Sequence, residues 1–214
     1  MQAEQFQPHD LLWLQPKAEV LTDAPLPSWA TELLSIGMPV VVRRAPRVDS
    51  AIPVGLRGAS RGLRFPAHVE ASSIARFAKP ETLIAAGSTL AETRMRLPAL
   101  MAFCELCQRL PSTLAWGPTG SVGFELATGC PSVSNTSDLD IVLRAPHALG
   151  RDQALEMLKY FSDLPCRCDV QLDTPNGGVS LLEWARGSKQ VLLKTDGGPK
   201  LVVNPWLCHE RIPE

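Results

Sequence analysis

At 214 residues, with 45% hydrophobic and 20% charged residues, the chain has the make-up of an ordinary globular protein and is long enough to bury a core as one domain or two small ones. A formal net charge of −1 argues against binding of nucleic acid or a membrane surface across the whole molecule, while leaving local patches open. No apolar run approaches the roughly 20 residues that a bilayer span needs, and MQAEQFQPHD lacks the basic-then-apolar pattern of a leader. A cytoplasmic protein with no nucleic-acid and no membrane partner is expected.

The first 80 residues are proline-rich and irregular. The pattern predicts a helix from about Trp29 to Ile36 and a strand at PVVVRRA (39–45). The loop-and-strand stretch IPVGLRGASRGLRF (52–65) follows, with Gly55, Gly58 and Gly62 marking tight turns or close backbone approach. Charge is uneven here. Between Arg43 and Lys79 eight basic residues face two acids, Asp49 and Glu70. A solvated face would carry such arginines, but interleaved glycines and guanidinium forks are also what phosphates favour.

From Glu81 the pattern turns regular, with helices predicted at about 81–94 and 98–110, the second starting on Pro98 where a missing N–H costs nothing. In that second helix Cys104 and Cys107 share a helical stripe with Leu97, Leu100, Met101 and Leu110. Both are expected to face the core as reduced thiols rather than to hold zinc. WGPTGSVGFELATG predicts a short strand or turn entering a short helix, and the polar loop CPSVSNT leads into the strand SDLDIVL. A helix over 147–163 with Leu155, Leu158 and Phe161 on one face comes next, then the strand CRCDVQLD (166–173), whose Cys166 and Cys168 point inward. After a Gly-Gly turn, WARGSKQVLLKT and PKLVVN predict further strands with TDGGPK as a hairpin turn. A boundary near residue 80 gives a smaller N-terminal α/β domain (1–80) and a larger domain (81–214) in an α+β protein.

Chemistry concentrates in the larger part. In NTSDLDIVL the period of two puts Asp138 and Asp140 on one strand face, with Leu139, Ile141 and Leu143 on the other. Two adjacent carboxylates repel unless a cation sits with them. Gly120 and Ser121 lie in a turn before a helix, where a hydroxyl and free backbone donors suit a phosphate. Asp169 alternates with the inward Cys168 and Val170, so it shares a face with Arg167, Gln171 and Asp173; whether it points at Asp138 and Asp140 depends on strand order. Asp173, just before TPNGG, reads as a turn residue. None of His9, His68, His147 and His209 has a partner at metal-ligand spacing, and no GxSxG motif is present.

A Gly-Ser turn, an Asp-x-Asp opening a strand and a single strand aspartate downstream resemble the nucleotidyltransferase superfamily, with a longer spacing from Ser121 to Asp138 than its compact members have. The stretches PVVVRRA, IPVGLRGASRGLRF, WGPTGSVGFELATG and SDLDIVLRAP are together similar to the phosphoribosyl-dephospho-CoA transferases, the malonate decarboxylase holo-acyl-carrier-protein synthases, over nearly the whole chain. The resemblance implies a mixed nucleotidyltransferase-like sheet flanked by helices, with the N-terminal domain helping to bind donor or carrier. It also implies transfer of the prosthetic group from 2'-(5''-triphosphoribosyl)-3'-dephospho-CoA to a serine of the apo acyl carrier subunit of malonate decarboxylase, releasing pyrophosphate. Asp138, Asp140 and Asp169 would then hold Mg²⁺, with Asp169 also accepting the serine proton. Gly120 and Ser121 would bind the leaving phosphates. Arg43, Arg44, Arg57, Arg61 and Arg64 would hold the rest of the donor or meet the acidic carrier. The alternatives are an ATP-consuming nucleotidyltransferase with another acceptor, and a non-catalytic binding module, against which the three retained carboxylates stand.

Overall fold

The computed structural model describes residues 6–58 and 62–207, with Ser88 and Thr89 by backbone alone. Two sheets carry the α+β architecture. The first combines β1 (Leu11–Leu14), β2 (Val40–Val42), β3 (Ile52–Arg57), β4 (Arg64–Val69) and β5 (Ile74–Ala78) in the order β4-β3-β2-β1-β5. Every pairing in it is antiparallel, so this N-terminal part is a meander-like sheet with one α-helix rather than a βαβ unit. Leu12, Val40, Ile52, Val54 and Leu56 are buried on its inner face, and α1 (Ser28–Ser35) covers them with Ala30, Trp29 and Leu34.

The second sheet has six strands in the order β11-β10-β9-β8-β7-β6. They are β6 (Trp116–Pro118), β7 (Leu139–Arg144), β8 (Cys168–Thr174), β9 (Gly177–Ser180), β10 (Val191–Thr195) and β11 (Gly198–Val202). Only β7 and β8 are parallel, which requires the crossover that α4 (Arg151–Leu158) provides; the rest pair antiparallel. Leu139, Ile141 and Leu143 point into a core completed by Ala99, Phe103 and Leu106 of α2 (Pro98–Arg109). Phe103 is fully buried against Trp116, and truncating such a side chain costs about 3–5 kcal/mol. The helix α3 (Gly120–Thr128) follows β6 directly and ends on Gly129 at φ 71°, a left-handed cap.

Several sequence expectations shift. The stretch 81–94 forms no α-helix but compact turns at Pro80–Leu83, Ala85–Thr89 and Arg94–Arg96. The chain there is pinned from both sides: a Cβ on Gly117 would lie 2.1 Å from the Pro80 carbonyl carbon, and one on Gly87 would lie 2.7 Å from the Phe103 ring. WARGSKQ begins in a helix, α5 (Leu181–Ala185), because Ser180 caps it by accepting the Glu183 N–H; the strand starts only at Val191. The expected Gly-Gly turn at 177–178 is part of β9. Helix α4 starts at Arg151 after Gly150, and Leu155 lies on its exposed side while Leu158 and Phe161 pack inward. In α2 the buried face runs through Ala99, Leu100, Ala102, Phe103 and Leu106, with Leu110 just after it, so Leu100 and Leu110 of the expected stripe are buried while Met101 and Cys107 lie outside; Cys104, Cys166 and Cys168 are partly buried against the core, and the described cysteines are free thiols. Among the described residues no helix is long and apolar enough to cross a membrane.

An ionic seam joins the two sheets. Arg144 at the end of β7 donates to Glu81 Oε1 (2.5 Å) and Asp173 Oδ2 (2.7 Å) and lies 3.6 Å from the fully buried Asp10. Arg44, next to β2, pairs with the other oxygen of Asp173. Asp173 is therefore a strand residue in the seam and not a turn residue. Its place follows from the β7–β8 register, which sets Arg144 opposite Asp173. Gly178 leaves room for Arg44, whose Nε would lie 3.1 Å from a Cβ there. Beside the seam His9 holds a positive φ of 78°, a conformation costly for a non-glycine residue. Its N–H donates to the Val42 carbonyl, and its ring Nε2 lies 2.9 Å from the Gln171 amide.

The seam perturbs two neighbours in opposite ways. Burial raises the Asp10 carboxyl to about 6, only partly countered by the Gln7 N–H and Arg144. Burial and Arg44 lower the His9 imidazole to about 4, against the pull of Asp173. Relative to ordinary values of 3.8 for the carboxyl and 6.5 for the imidazole, folded Asp10 holds its proton longer than unfolded Asp10, so its contribution is complete below pH 3.8 and is lost as pH rises through about 6. His9 contributes fully above pH 6.5 and loses that as pH falls through about 4. The two slopes oppose each other. Urea unfolding of Asp10→Asn should therefore show stability rising with pH across this window, and of His9→Gln falling, each by roughly 2–3 kcal/mol relative to wild type. If both variants track the wild-type curve, neither group titrates as described.

Candidate active site

The parallel pairing of β7 and β8 answers the strand-order question. Asp140 and Asp169 are register partners, level with each other on neighbouring strands and on the face opposite the core. Asp138 precedes β7 by one residue and borders the same open cleft of about 1020 Å³. Gly120 and Ser121 line this cleft from the start of α3, and Arg57 and Arg64 line it from the N-terminal sheet. Arg57 and Arg64 are themselves partners across β3 and β4. The structure thus brings seven of the residues singled out in the sequence to one place.

The turn at Gly120 is dictated locally. β6 ends at Pro118, and the Thr119 N–H donates to the Asp140 carbonyl at 2.8 Å, which locks the turn to β7. Gly120 then adopts φ 61°, and a Cβ there would come within 2.1 Å of Asp140 Oδ2. Only glycine lets the carboxylate sit against the first turn of the helix, where unpaired N–H groups favour anions. The two arginines supply the opposite charge. Burial and Arg64 pull the Arg57 guanidinium below its ordinary value, while Asp140 pulls it back. Arg57 is therefore a partly desolvated cation between another cation and a site carboxylate, where an added phosphate would relieve it.

Asp169 sits at the open side. Its Oδ1 accepts from Arg167 Nε at 3.1 Å and Nη2 at 2.9 Å, and the pair is solvent-exposed, with Asp169 at 48%. An exposed pair of this kind contributes little to stability and exchanges readily for another partner. Among the described residues no three His, Cys, Asp or Glu side chains converge closely enough to hold a metal ion by themselves. The donor set is all oxygen, and Mg²⁺ uses one or two carboxylates with phosphate and water oxygens for the rest. Asp138 and Asp140 fit that requirement.

The remaining arginines separate. Arg43 is exposed, lies over Gly55 and is not part of the cleft wall. Arg44 is committed to Asp173 in the seam. Arg61 lies outside the described residues.

The sequence placed a polar loop before β7, but not that residues 131–137 form the far wall of the cleft, nor the carboxylate that holds them. Glu125 on α3 is buried; it accepts from Arg94 Nε and Nη2 (both 2.8 Å) and from the N–H groups of Ser132 (2.7 Å) and Val133 (2.8 Å). Burial pushes its carboxyl up, but these four donors outweigh it and leave the group below its ordinary value. A charged residue inside the apolar stretch VGFELA was the available signal. Glu125→Gln should lower stability by about 2–4 kcal/mol in denaturant unfolding, because Arg94 loses its buried partner. Gly120→Ala should leave the fold intact by circular dichroism but reduce activity roughly a hundredfold, since Asp140 must move.

Comparison with known proteins covers nearly the whole chain. Residues 84–205 match the model of the phosphoribosyl-dephospho-CoA transferase MdcG C-terminal domain, and residues 7–80 match that of the MdcG N-terminal domain. A protein of Pseudomonas putida named phosphoribosyl-dephospho-CoA transferase is 47% identical over 207 residues, covering 96% of this chain and 98% of its own. Relatives of the same name from Azotobacter vinelandii (45% over 206 residues, 94% of each chain) and Pseudomonas aeruginosa (42% over 205 residues, 95% of each) are similar throughout. No solved structure matches. With both family models matched and relatives alike from end to end, the chain belongs to the phosphoribosyl-dephospho-CoA transferase family and is a transferase.

Proposed function

We propose that this transferase moves the phosphoribosyl-dephospho-CoA group from its 5''-triphosphoribosyl donor to a serine hydroxyl of the apo acyl carrier subunit of malonate decarboxylase, with pyrophosphate leaving. One observation carries the reading: in a chain of this family, three carboxylates, a glycine-hydroxyl turn at a helix start and two arginines line the same cleft. That combination is what attack on an anionic phosphorus requires.

In this reading the serine oxygen forms a bond to the phosphorus next to the ribosyl C5'', and the bond from that phosphorus to the pyrophosphate oxygen breaks. Asp169, on the solvent side of the cleft, exchanges its contact with Arg167 for the serine hydroxyl and takes its proton. The N–H groups at Gly120 and Ser121 and the Ser121 hydroxyl receive the leaving pyrophosphate. Arg57 and Arg64 neutralise the rest of the triphosphate from the opposite wall. Asp138 and Asp140 would hold Mg²⁺, which when bound offsets negative charge on the phosphoryl oxygens.

The direct test is intact-mass spectrometry of the apo carrier subunit incubated with enzyme, Mg²⁺ and donor. A gain equal to donor minus pyrophosphate is expected, absent with EDTA or with Asp138→Ala. Asp169→Asn should slow transfer a hundredfold or more while donor binding persists; loss of binding as well would make Asp169 chiefly a metal ligand. A nucleotide-sized gain with ATP, and none with the triphosphoribosyl donor, would overturn the reading.

A further inference from the structure

The cleft has a second chemical character that phosphate transfer does not use. Its wall on the side of the N-terminal sheet is aliphatic: Leu33 and Ile36 at the end of α1, Met38 just after it, and Leu63 beside Arg64. Ile36 is 65% exposed and Leu63 38% exposed, so neither is held there by the needs of the core. From the other side Phe124 of α3 faces the same space. Above it runs the loop 131–137, in which Ser134 Oγ lies 3.2 Å from the hydroxyls of both Thr136 and Ser137. Glu125 fixes this loop through two backbone N–H groups, so the wall is preformed. Aliphatic surface on one side and clustered hydroxyls on the other suit a flat heteroaromatic ring, with apolar faces and a hydrogen-bonding edge.

We infer that this wall is the seat of the adenosine base of the donor, with Ile36 and Leu63 beneath the ring and the hydroxyls of loop 131–137 at its edge. The inference rests on the donor assigned under the proposed function and adds to it the residues that distinguish this donor from a bare triphosphate. Connectivity favours the base over the pantetheine arm. The ribose that carries the triphosphate is joined directly to the ribose of the adenosine. With the triphosphate at Asp138, Asp140 and Gly120, the base is the next apolar surface that the neighbouring wall meets. The arm is reached only beyond a further diphosphate, which the aliphatic residues would repel. The two ends of the cleft therefore divide the work: carboxylates and arginines take the reacting end, and the α1 side recognises which molecule carries it.

Calorimetric titration of wild-type protein and Ile36→Asp tests this, because a side chain two-thirds exposed at the end of a helix can change without unfolding the chain. The ligands are dephospho-CoA, adenosine 5'-diphosphate, 4'-phosphopantetheine and inorganic triphosphate with Mg²⁺. Ile36→Asp should weaken dephospho-CoA and adenosine diphosphate on the order of tenfold and leave inorganic triphosphate unchanged. In turnover it should raise the donor KM with little change in kcat. Weakening of phosphopantetheine instead of adenosine diphosphate would give the wall to the arm and overturn the assignment. Wild-type protein that transfers the group, with a variant indistinguishable from it in all four titrations, would overturn the base site alone. Wild-type protein that neither transfers the group nor binds dephospho-CoA would overturn the donor reading and the site with it.

Discussion

Everything in the cleft depends on how one sheet is held against the other, and Arg144 and Arg44 do that holding together. Arg144 sits on the same strand face as Asp140 and reaches Glu81, Asp173 and Asp10, while Arg44 closes the seam from the N-terminal sheet. The two arginines and three acids are largely withdrawn from water, so each charge relies on the others for compensation. A seam of this kind need not add net stability over an apolar one. What it fixes is relative position: with Arg44 on Asp173 and Arg144 beside Asp10, the sheet carrying Arg57 is held across the cleft from Asp140. Apolar contacts alone would allow sliding, because they are not directional.

A second constraint acts within the larger sheet. A parallel pair places residues level by register, and the β7–β8 register sets three pairs on one face: Asp140 with Asp169, Val142 with Gln171, Arg144 with Asp173. The same two strands therefore carry site carboxylates at one end and the seam at the other, with Gln171 touching His9 between them. Site and seam share a single rigid piece. This is why a buried ion cluster at the far end of the strands from Asp140 and Asp169 still bears on how the cleft is shaped.

Much of the site was legible in the sequence because its parts follow local rules. Period-two alternation gave the shared face of Asp138 and Asp140 and the outward side of Asp169, and a glycine before a helix gave the turn that borders the cleft. What stayed hidden depended on contacts distant in sequence. Arg44 and Arg57 look alike in the chain, yet one is bound to Asp173 and the other faces the cleft. Asp173 read as a turn residue because of the glycines after it, but strand β9 extends through them. The stretch 81–94 has helix-forming residues, and packing against Gly117 and Phe103 overrides them. Cys107 fell outside the core because the buried face of α2 centres on Ala99, Leu100, Ala102, Phe103 and Leu106. Ser180 and Glu183, by contrast, were a capping signal open to view three residues apart.

The seam also restricts how such a chain can change over generations. Its members have no independent freedom, since replacing Arg44 alone strips Asp173 of one of its two cations, and replacing Glu81 alone leaves Arg144 short of an anion. Acceptable drift must come as matched exchanges, a charge traded for an apolar group on both sides at once, or as none. Positions 44, 81, 144 and 173 should accordingly vary as a group among descendants, while Leu155, on the exposed side of α4, is free to drift on its own.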